Sequence, residues 1–301
     1  MRALATSLIR ALALAGTSTL VGQDAPPPTD VYLIAVEQTD TGWDLGEPTN
    51  LTARSGYDNQ PAFDPDGRRV LYTSYRDGQA DVWSATVPEG PSAAVTRTPE
   101  SEYSPTPDPG GHLTVVRVEA DSTQRLWRFT SEGVPVEPVL PGVEPVGYHA
   151  WLDADRVVLY VLGEPPRLRV AQPGSGEVRT VAADVGRSLQ PIPGGGVSFV
   201  RFTGEEGSEA WLHRLGPDGR STERLVRLPG DRIDHGWGPD GTVWVGVDDE
   251  LWAWHPDRDA EIGFVRVSSF GGDGLGGITR VTVSPDGEWL AIVADDSPGG
   301  R

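Results

Sequence analysis

A tight turn of nearly constant sequence recurs along the chain at a nearly constant interval. The turn is Pro-Asp-Gly at three places, Pro-Gly-Gly at two and Asp-Ala-Asp at one. Successive turns lie 44, 44, 40, 46 and 46 residues apart, measured between their third residues: Gly67, Gly111, Asp155, Gly195, Gly241 and Gly287. Such a period is typical of a protein built from copies of one supersecondary unit. Six units of this length fill the 301 residues.

Short apolar segments flank each turn. They are rich in Val, Tyr, Phe and Trp and are bounded by Gly, Pro and Asp, as expected for strands joined by tight turns. A third and a fourth apolar segment follow each pair, for example residues 81–83 and 94–96. Four strands at this period are typical of a propeller blade. The sequence therefore predicts an all-β, six-bladed β-propeller whose blades are four-stranded antiparallel sheets.

The two ends of the chain resemble complementary halves of one blade. Only 14 residues follow Gly287, whereas in three other units the third-strand tryptophan lies 16 residues beyond the turn glycine. Residues 30–32 repeat the pattern of residues 81–83, and residues 50–52 resemble a fourth strand. We predict a composite sixth blade with two strands from each end of the chain. Such a blade would close the ring and leave no open sheet edge.

The first residues of the chain differ from the rest. Arg2 and Arg10 precede an apolar segment that ends near Gly22, and a Pro-rich stretch follows. This pattern predicts a signal peptide over residues 1–23, a linker over 24–29 and a single propeller domain over 30–301. The alternative for residues 1–23 is a helix that belongs to the fold. We expect a bacterial protein that is periplasmic or secreted, soluble once the signal peptide is removed, and not embedded in the membrane.

Charge and cysteine content exclude several classes of function. The formal net charge is −19, so the surface should repel phosphate backbones, and we expect no nucleic-acid partner. An anionic membrane surface is disfavoured for the same reason. The chain has no cysteine, which excludes disulfides, thiolate metal sites and a cysteine nucleophile.

The segment from Asn59 to Ser74 resembles the repeat of TolB-type β-propellers, which are relatives of the WD-repeat propellers. The shared pattern is a polar residue, Pro, an aromatic residue, a Ser-Pro-Asp-Gly-like turn and an apolar strand that ends near Ser. The segment from Val281 to Leu290 matches it again, including the serine of the turn. TolB-type proteins are periplasmic and bind other envelope proteins. The resemblance therefore implies a monomeric, non-catalytic scaffold that binds an envelope protein or a peptide and needs no cofactor.

Common catalytic motifs are missing from the sequence. It contains no Gly-x-Ser-x-Gly, no phosphate-binding loop with Gly-Lys-Ser/Thr and no His-Glu-x-x-His. Residues 272–277 fit Gly-x-Gly-x-x-Gly literally, but a strand-like segment follows them where a dinucleotide site requires a helix. We predict a loop between blades at this position.

Polar side chains precede the innermost strand of each unit. In a propeller this strand lines the central channel, so the side chains should converge on one mouth of the channel, where ligands can bind. The predicted ligand-binding residues are Tyr57, Asp58, Asn59, Glu102, Tyr103, Tyr148, His149, Arg187, Asp234, His235 and Arg280. The alternative is that these groups are solvated or satisfy loop amides.

Two of these residues suggest a second function. His149 and His235 occupy the same repeat position two units apart, so they could approach each other across the ring. Together with Asp234 they are candidate ligands of a divalent ion such as Ca²⁺ or Mn²⁺. Some TolB-like lyases that act on uronate oligosaccharides use a histidine-rich metal site. The alternative to the scaffold is therefore a metal-dependent lyase or lactonase whose site lies in the channel.

Overall fold

The computed structural model describes residues 26–39, 42–230 and 233–295. The predicted signal peptide at 1–23 lies outside these residues. Residues 26–28 carry no regular structure, and the first strand begins at Thr29. The regular secondary structure of the described residues consists of strands and two short 3₁₀ helices, Glu205–Gly207 and Gly271–Asp273. None of its helical segments is long and apolar enough to span a membrane.

Within the described residues, six antiparallel sheets form the blades of a propeller. The chain begins with β1 (Thr29–Thr39), β2 (Gly42–Leu45) and β3 (Thr49–Asn50). Blade 1 contains β4 (Asp58–Phe63), β5 (Arg69–Arg76), β6 (Gln79–Thr86) and β7 (Ser92–Ala94). Blade 2 contains β8 (Ser101–Pro107), β9 (Leu113–Val118), β10 (Gln124–Phe129) and β11 (Pro135–Pro138). Blade 3 contains β12 (Val146–Trp151), β13 (Val157–Val161), β14 (Arg167–Gln172) and β15 (Glu177–Ala183).

The remaining strands complete the ring. Blade 4 contains β16 (Val185–Pro191), β17 (Val197–Thr203), β18 (Glu209–Leu215) and β19 (Thr222–Arg227). Blade 5 contains β20 (Gly236–Trp237), β21 (Val243–Val247), β22 (Glu250–Trp254) and β23 (Val265–Ser269). The chain returns through β24 (Arg280–Val283) and β25 (Trp289–Asp295) to the sheet that β1 begins. The prediction of an all-β, six-bladed propeller is confirmed.

Blade 6 is composite, as predicted. Its strand order is β2-β1-β25-β24, so the two ends of the chain meet where β1 pairs with β25. This pairing runs from Thr29 opposite Asp295 to Ala35 opposite Trp289. The outer strand of the blade is split, because β2 and β3 both pair with the same edge of β1. Two adjacent central strands therefore close the ring.

The recurrent turns join the first strand of a blade to the second. Their glycines adopt a positive φ, which side chains other than that of glycine rarely tolerate. The N–H of Gly67 donates to the carbonyl of Asp64 at 3.0 Å, and the N–H of Gly287 donates to Ser284 at 3.0 Å. The turn at Asp155 uses different chemistry, because the carboxylate of Asp153 accepts the backbone N–H groups of Asp155 and Arg156.

The hydrophobic core is divided among the joints between neighbouring blades. Six clusters of buried residues occur in the part of the chain that the structure describes, one at each joint. At the joint of blades 6 and 1, Val31 and Leu33 of β1 pack with Tyr72 of β5 and Val293 of β25. Each blade is therefore stabilised mainly by its two neighbours, and the inner strands are left to surround a central channel.

The closing strand can be tested with a matched pair of leucine substitutions. Leu33 is 1% exposed at the joint of blades 6 and 1, so Leu33→Ala should cost about 2–5 kcal/mol of unfolding free energy. Leu162 is 39% exposed, and Leu162→Ala should change stability by no more than about 0.5 kcal/mol. Urea unfolding followed by tryptophan fluorescence measures both. Equal unfolding midpoints for the two variants would mean that β1 does not close the ring.

Candidate functional site

The inner strands enclose a cavity at the face of the propeller where they begin. Its volume is about 120 Å³, which holds several water molecules or one small charged group. Every blade contributes to its lining, through residues that include Gln60, Ser104, Tyr148, Arg187, Asp234 and Arg280. We call the set Gln60, Tyr148, Arg187, Asp234 and Arg280 the mouth network.

Asp234 joins two arginines from the neighbouring blades. Arg187 donates from Nη2 to Asp234 Oδ2 at 2.8 Å, and Arg280 donates from Nη1 to Oδ1 at 3.2 Å. Burial alone would raise the pKa of Asp234, but Arg280 and Arg187 outweigh it and hold that pKa below its ordinary value. The carboxylate is therefore ionised, and the three groups together carry one net positive charge in a protein of charge −19.

The Tyr148 hydroxyl extends this network across the ring. It accepts hydrogen bonds from Arg280 Nη2 at 3.0 Å and from Gln60 Nε2 at 3.4 Å. The Gln60 carbonyl oxygen in turn accepts from Thr73 Oγ1 and from the backbone N–H of Ser104, each at 2.8 Å. These bonds fix the orientation of Arg280 through contacts with several blades.

Arg187 is the charged member of the network that solvent reaches most easily. Its side chain is 41% exposed, against 16% for Arg280. Its Nε atom is buried and has no hydrogen-bond partner in the described part of the chain. Because Asp234 engages Nη2 and 41% of the Arg187 side chain is exposed, the exposed part of the guanidinium group can bind an anion that enters the mouth.

Of the other two predicted tyrosines, Tyr57 directly precedes β4 and Tyr103 packs against the core of the joint between blades 2 and 3. Burial raises the pKa of the Tyr57 hydroxyl, although Arg280 acts on the same group and lowers it. Tyr148 and Tyr103 also raise the pKa of this hydroxyl, and Arg187 lowers it. Burial likewise raises the pKa of Tyr103. Both hydroxyls are therefore neutral at physiological pH and can donate a hydrogen bond.

His149 is buried at the joint of blades 2 and 3, and, like His235, it also lines the cavity. Its Nε2 lies 2.8 Å from Thr114 Oγ1 of β9, and the indole N–H of Trp151 donates to the same oxygen at 3.2 Å. Burial lowers the pKa of His149 to about 3, so the imidazole is neutral. His149 and Trp151 lie two residues apart on the inner strand of blade 3, and both contact the Thr114 hydroxyl of blade 2.

His235 repeats this arrangement at the joint of blades 4 and 5. Its Nε2 lies 2.7 Å from Ser198 Oγ, and Trp237 donates to that oxygen at 2.8 Å. Its Nδ1 lies 3.2 Å from Ser188 Oγ. Burial lowers the pKa of His235 to about 4. We call each His-Trp-hydroxyl group a joint clip; the spacing His-x-Trp is the sequence pattern that could have revealed it.

Asp58 and Asn59 are buried at the joint of blades 6 and 1, outside the cavity. Arg54 donates from Nη1 to Asp58 Oδ2 at 3.0 Å. Burial raises the pKa of Asp58 despite this ion pair. The amide of Asn59 donates to Thr29 Oγ1 at 3.1 Å, which ties the closing strand to blade 1.

Glu102 is buried at the joint of blades 1 and 2. Thr98 Oγ1 donates to its Oε1, and Arg117 Nε lies 3.6 Å from that oxygen. Its Oε2 has no partner among the described residues. Burial raises the pKa of Glu102 to about 7. The carboxyl therefore belongs to a joint, not to the lining of the cavity.

The candidate metal ligands each contact neighbouring protein groups, although Nδ1 of His149 is buried and has no partner among the described residues. His149 and His235 contact hydroxyl groups through Nε2, and Asp234 binds two arginines. Across residues 26–39, 42–230 and 233–295, no group of three His, Asp or Glu side chains could hold a metal ion. The mouth therefore presents donors to an anion, whereas a cation would meet arginine charge.

The joint clips predict a specific pH dependence of stability. In the unfolded chain His149 and His235 titrate near 6.5, whereas in the folded protein they stay neutral to about 3 and about 4. The unfolded state therefore binds more protons, and stability should fall as the pH drops below 6.5, by about 1.4 kcal/mol per pH unit for each histidine. Glu102 opposes part of this loss, because its folded pKa lies above its unfolded value.

The measurement is the melting temperature between about pH 7.5 and about pH 5.5, which is about one unit either side of the ordinary histidine pKa. His235→Gln should melt at a lower temperature than the wild type at neutral pH but lose less on acidification. His112→Gln, at an exposed turn residue, should follow the wild-type slope. Parallel slopes for the wild type and His235→Gln would show that His235 is not buried in its neutral form.

Sequence similarity to known proteins is limited to one part of the chain. No family model matches the sequence. An uncharacterized protein of Agrobacterium fabrum is 33% identical over 79 residues, which make up 26% of this chain and 27% of that protein. The matched segment thus spans about a quarter of the relative.

Solved structures match over most of the chain. A protein assigned as TolB in Agrobacterium tumefaciens gives a TM-score of 0.64 at 14% identity, over 88% of this chain and 98% of its own. TolB from Acinetobacter baumannii gives 0.56 at 12%, over 90% and 64%. An oligogalacturonate lyase in complex with manganese gives 0.53 at 14%, over 85% and 83%. The fold is that of the TolB-like six-bladed β-propellers, as the turn motif predicts.

Proposed function

We propose that this TolB-like propeller is a non-catalytic scaffold that binds another protein or a peptide through an acidic group held in the channel mouth. The observation that carries the proposal is the Arg187–Asp234–Arg280 arrangement, in which two arginines share one carboxylate. One positive charge is left over, and Arg187 presents it to solvent. A carboxylate entering the mouth would accept charge-assisted hydrogen bonds from donors that are already held in place.

The charge of the whole protein makes this site selective. A surface with a net charge of −19 repels a uniformly acidic partner at long range. A partner whose acidic group stands on a neutral or basic surface avoids that repulsion and still satisfies the mouth. Electrostatic complementarity of this kind favours correct encounters and disfavours wrong ones.

The state of the ionisable groups also favours binding over catalysis. A general base works best with a pKa near the working pH. Two arginines hold the pKa of Asp234 below its ordinary value, and burial keeps His149 and His235 neutral inside the joint clips. These side chains orient and hold neighbouring groups, as a scaffold requires.

The structural likeness to TolB proteins supports a partner in the cell envelope. The proposal includes export to the periplasm through the predicted signal peptide at residues 1–23, and a monomeric scaffold. In this setting the mouth would face other soluble or membrane-anchored envelope proteins.

The binding role of Arg187 can be tested by peptide display. Random peptides selected on the wild-type protein should be enriched in Asp and Glu. Arg187→Ala should bind the selected peptides roughly ten- to a hundredfold more weakly, since a hydrogen bond to a charged group contributes about 1.5–3 kcal/mol. Fluorescence anisotropy with synthetic copies of the peptides measures the change.

Arg68→Ala provides the matched control, because Arg68 is an exposed arginine in the turn at the far end of β4. It removes the same charge at a distance from the mouth and should leave affinity nearly unchanged. Equal binding by the wild type and Arg187→Ala would contradict the scaffold proposal.

A metal-dependent lyase is the second candidate, favoured by the likeness to an oligogalacturonate lyase in complex with manganese. On the geometry above we expect that removing metal has no effect on stability. A chelator, or added Mn²⁺ or Ca²⁺, should leave the melting temperature unchanged within the repeatability of the measurement. A drop on chelation that Mn²⁺ or Ca²⁺ reverses would indicate an occupied site and would put the lyase first.

A further inference from the structure

A groove opens from the channel mouth across the start of blade 4. Its volume is about 720 Å³, within the range of about 300–1,000 Å³ that is usual for ligand pockets. Its walls come from blades 3 and 4 and from the chain just before blade 5. The residues that carry the argument are Tyr160, Asp184, Gly186, Arg187, Phe202 and Ile233. We call this the blade-4 groove.

The floor of the groove is apolar. Tyr160 packs against the core of the joint between blades 3 and 4, and Phe202 and Ile233 pack against the core between blades 4 and 5. All three are only partly buried, so apolar surface is left facing the groove. Gly186 keeps this floor close-packed, because a Cβ there would lie 3.2 Å from Val200 Cβ.

The inner end of the groove is Arg187, which also lines the small cavity of the channel mouth. The two cavities therefore share Arg187 as a lining residue. The cavity beyond it, of about 120 Å³, has room for a carboxylate and water but is too small for a polypeptide to continue through it. A chain lying in the groove would have to end at Arg187 or turn back there.

A negatively charged residue, Asp184, lies three residues before Arg187 and lines the same groove. Asp184 is exposed and adopts a φ of 55°, which turns the chain between β15 and β16. Three residues of extended chain span about 10 Å, so a ligand in extended conformation would match this spacing with about three of its own residues. A basic residue there would complement Asp184.

We infer that the blade-4 groove binds the C-terminal segment of a partner whose last residue is apolar. The terminal carboxylate binds Arg187, the last side chain lies on Phe202 and Ile233, and a basic residue three positions earlier faces Asp184. This inference rests on the proposed function, because both use Arg187, and it adds the chemical class of the partner segment.

The test uses fluorescence anisotropy with a labelled peptide, fluorescein-Gly-Lys-Ser-Ala-Phe with a free carboxylate. Amidation of its terminus should weaken binding at least tenfold, since it removes the charge that Arg187 binds. Replacing its Phe by Ser should weaken binding to a similar extent, since it removes the apolar contact. Arg187→Ala should abolish the difference between the acid and the amide.

Two protein variants examine the groove itself. Asp184→Asn removes a charge but keeps a residue that tolerates a positive φ, so the fold should be retained. It should remove the preference for Lys over Ser in the second peptide position, whereas Asp66→Asn, in a turn far from the mouth, should not. Phe202→Ala should weaken binding of the peptide that ends in Phe and leave binding of the peptide that ends in Ser unchanged. Melting temperatures of the variants confirm that they fold.

The outcomes separate this inference from the proposed function. Equal binding of acid and amide, together with Arg187-dependent binding of peptides that carry an internal Asp or Glu, would overturn the inference and leave the scaffold proposal intact. Failure of every acidic peptide to depend on Arg187 would overturn both. Loss of binding on amidation, on Phe202→Ala and on Arg187→Ala would establish the groove as a site for chain termini.

Discussion

The pairing of β1 with β25 is the contact on which the whole ring depends. Each blade buries its apolar side chains only against its two neighbours, since the core is divided among the joints. An open ring would therefore unpair the facing edges of both central strands, β1 and β25, and expose the apolar cluster that they form with blade 1. The bond between Asn59 and Thr29 adds a polar tie at this closure, beside the apolar cluster of Val31 and Leu33.

The mouth network requires a closed ring because no blade contains it alone. Asp234 precedes blade 5, while its partners Arg187 and Arg280 belong to blades 4 and 6. The Tyr148 hydroxyl then connects Arg280 to Gln60 across the channel. A shift of one blade against its neighbour would separate these groups by more than a hydrogen-bond length. The joint clips at blades 2–3 and 4–5 oppose such a shift, because they join inner strands to the preceding blades through buried hydroxyls.

The sequence predicts a feature well where the local backbone conformation requires one residue type, as a turn with positive φ requires glycine. Turn glycines at positive φ mark the link between first and second strands in every blade except blade 3, where Asp153 makes the turn, so blade number and the composite blade follow from the spacing of the turns. Side-chain direction is harder to predict, because one residue of register decides between the channel and a joint. The inner strands of blades 1 and 2 carry register shifts at Asn59/Ala62 and Tyr103/Thr106, with Gln60 and Ser104 at positive φ. Such bulges re-aim neighbouring side chains, and no pattern of polar residues announces them.

The same dependence on register explains why two adjacent residues of one inner strand make different contacts. His149 directly follows Tyr148, yet the tyrosine faces the network and the histidine contacts Thr114 in a joint. Asp234 directly precedes His235: the aspartate binds the two arginines of the network and the histidine contacts Ser198 in a joint, although both line the cavity. In both pairs the first residue belongs to the mouth network, and the second residue fixes the blade to its neighbour. One dipeptide position therefore serves recognition and stability together, so a substitution of either residue has to be examined for both effects.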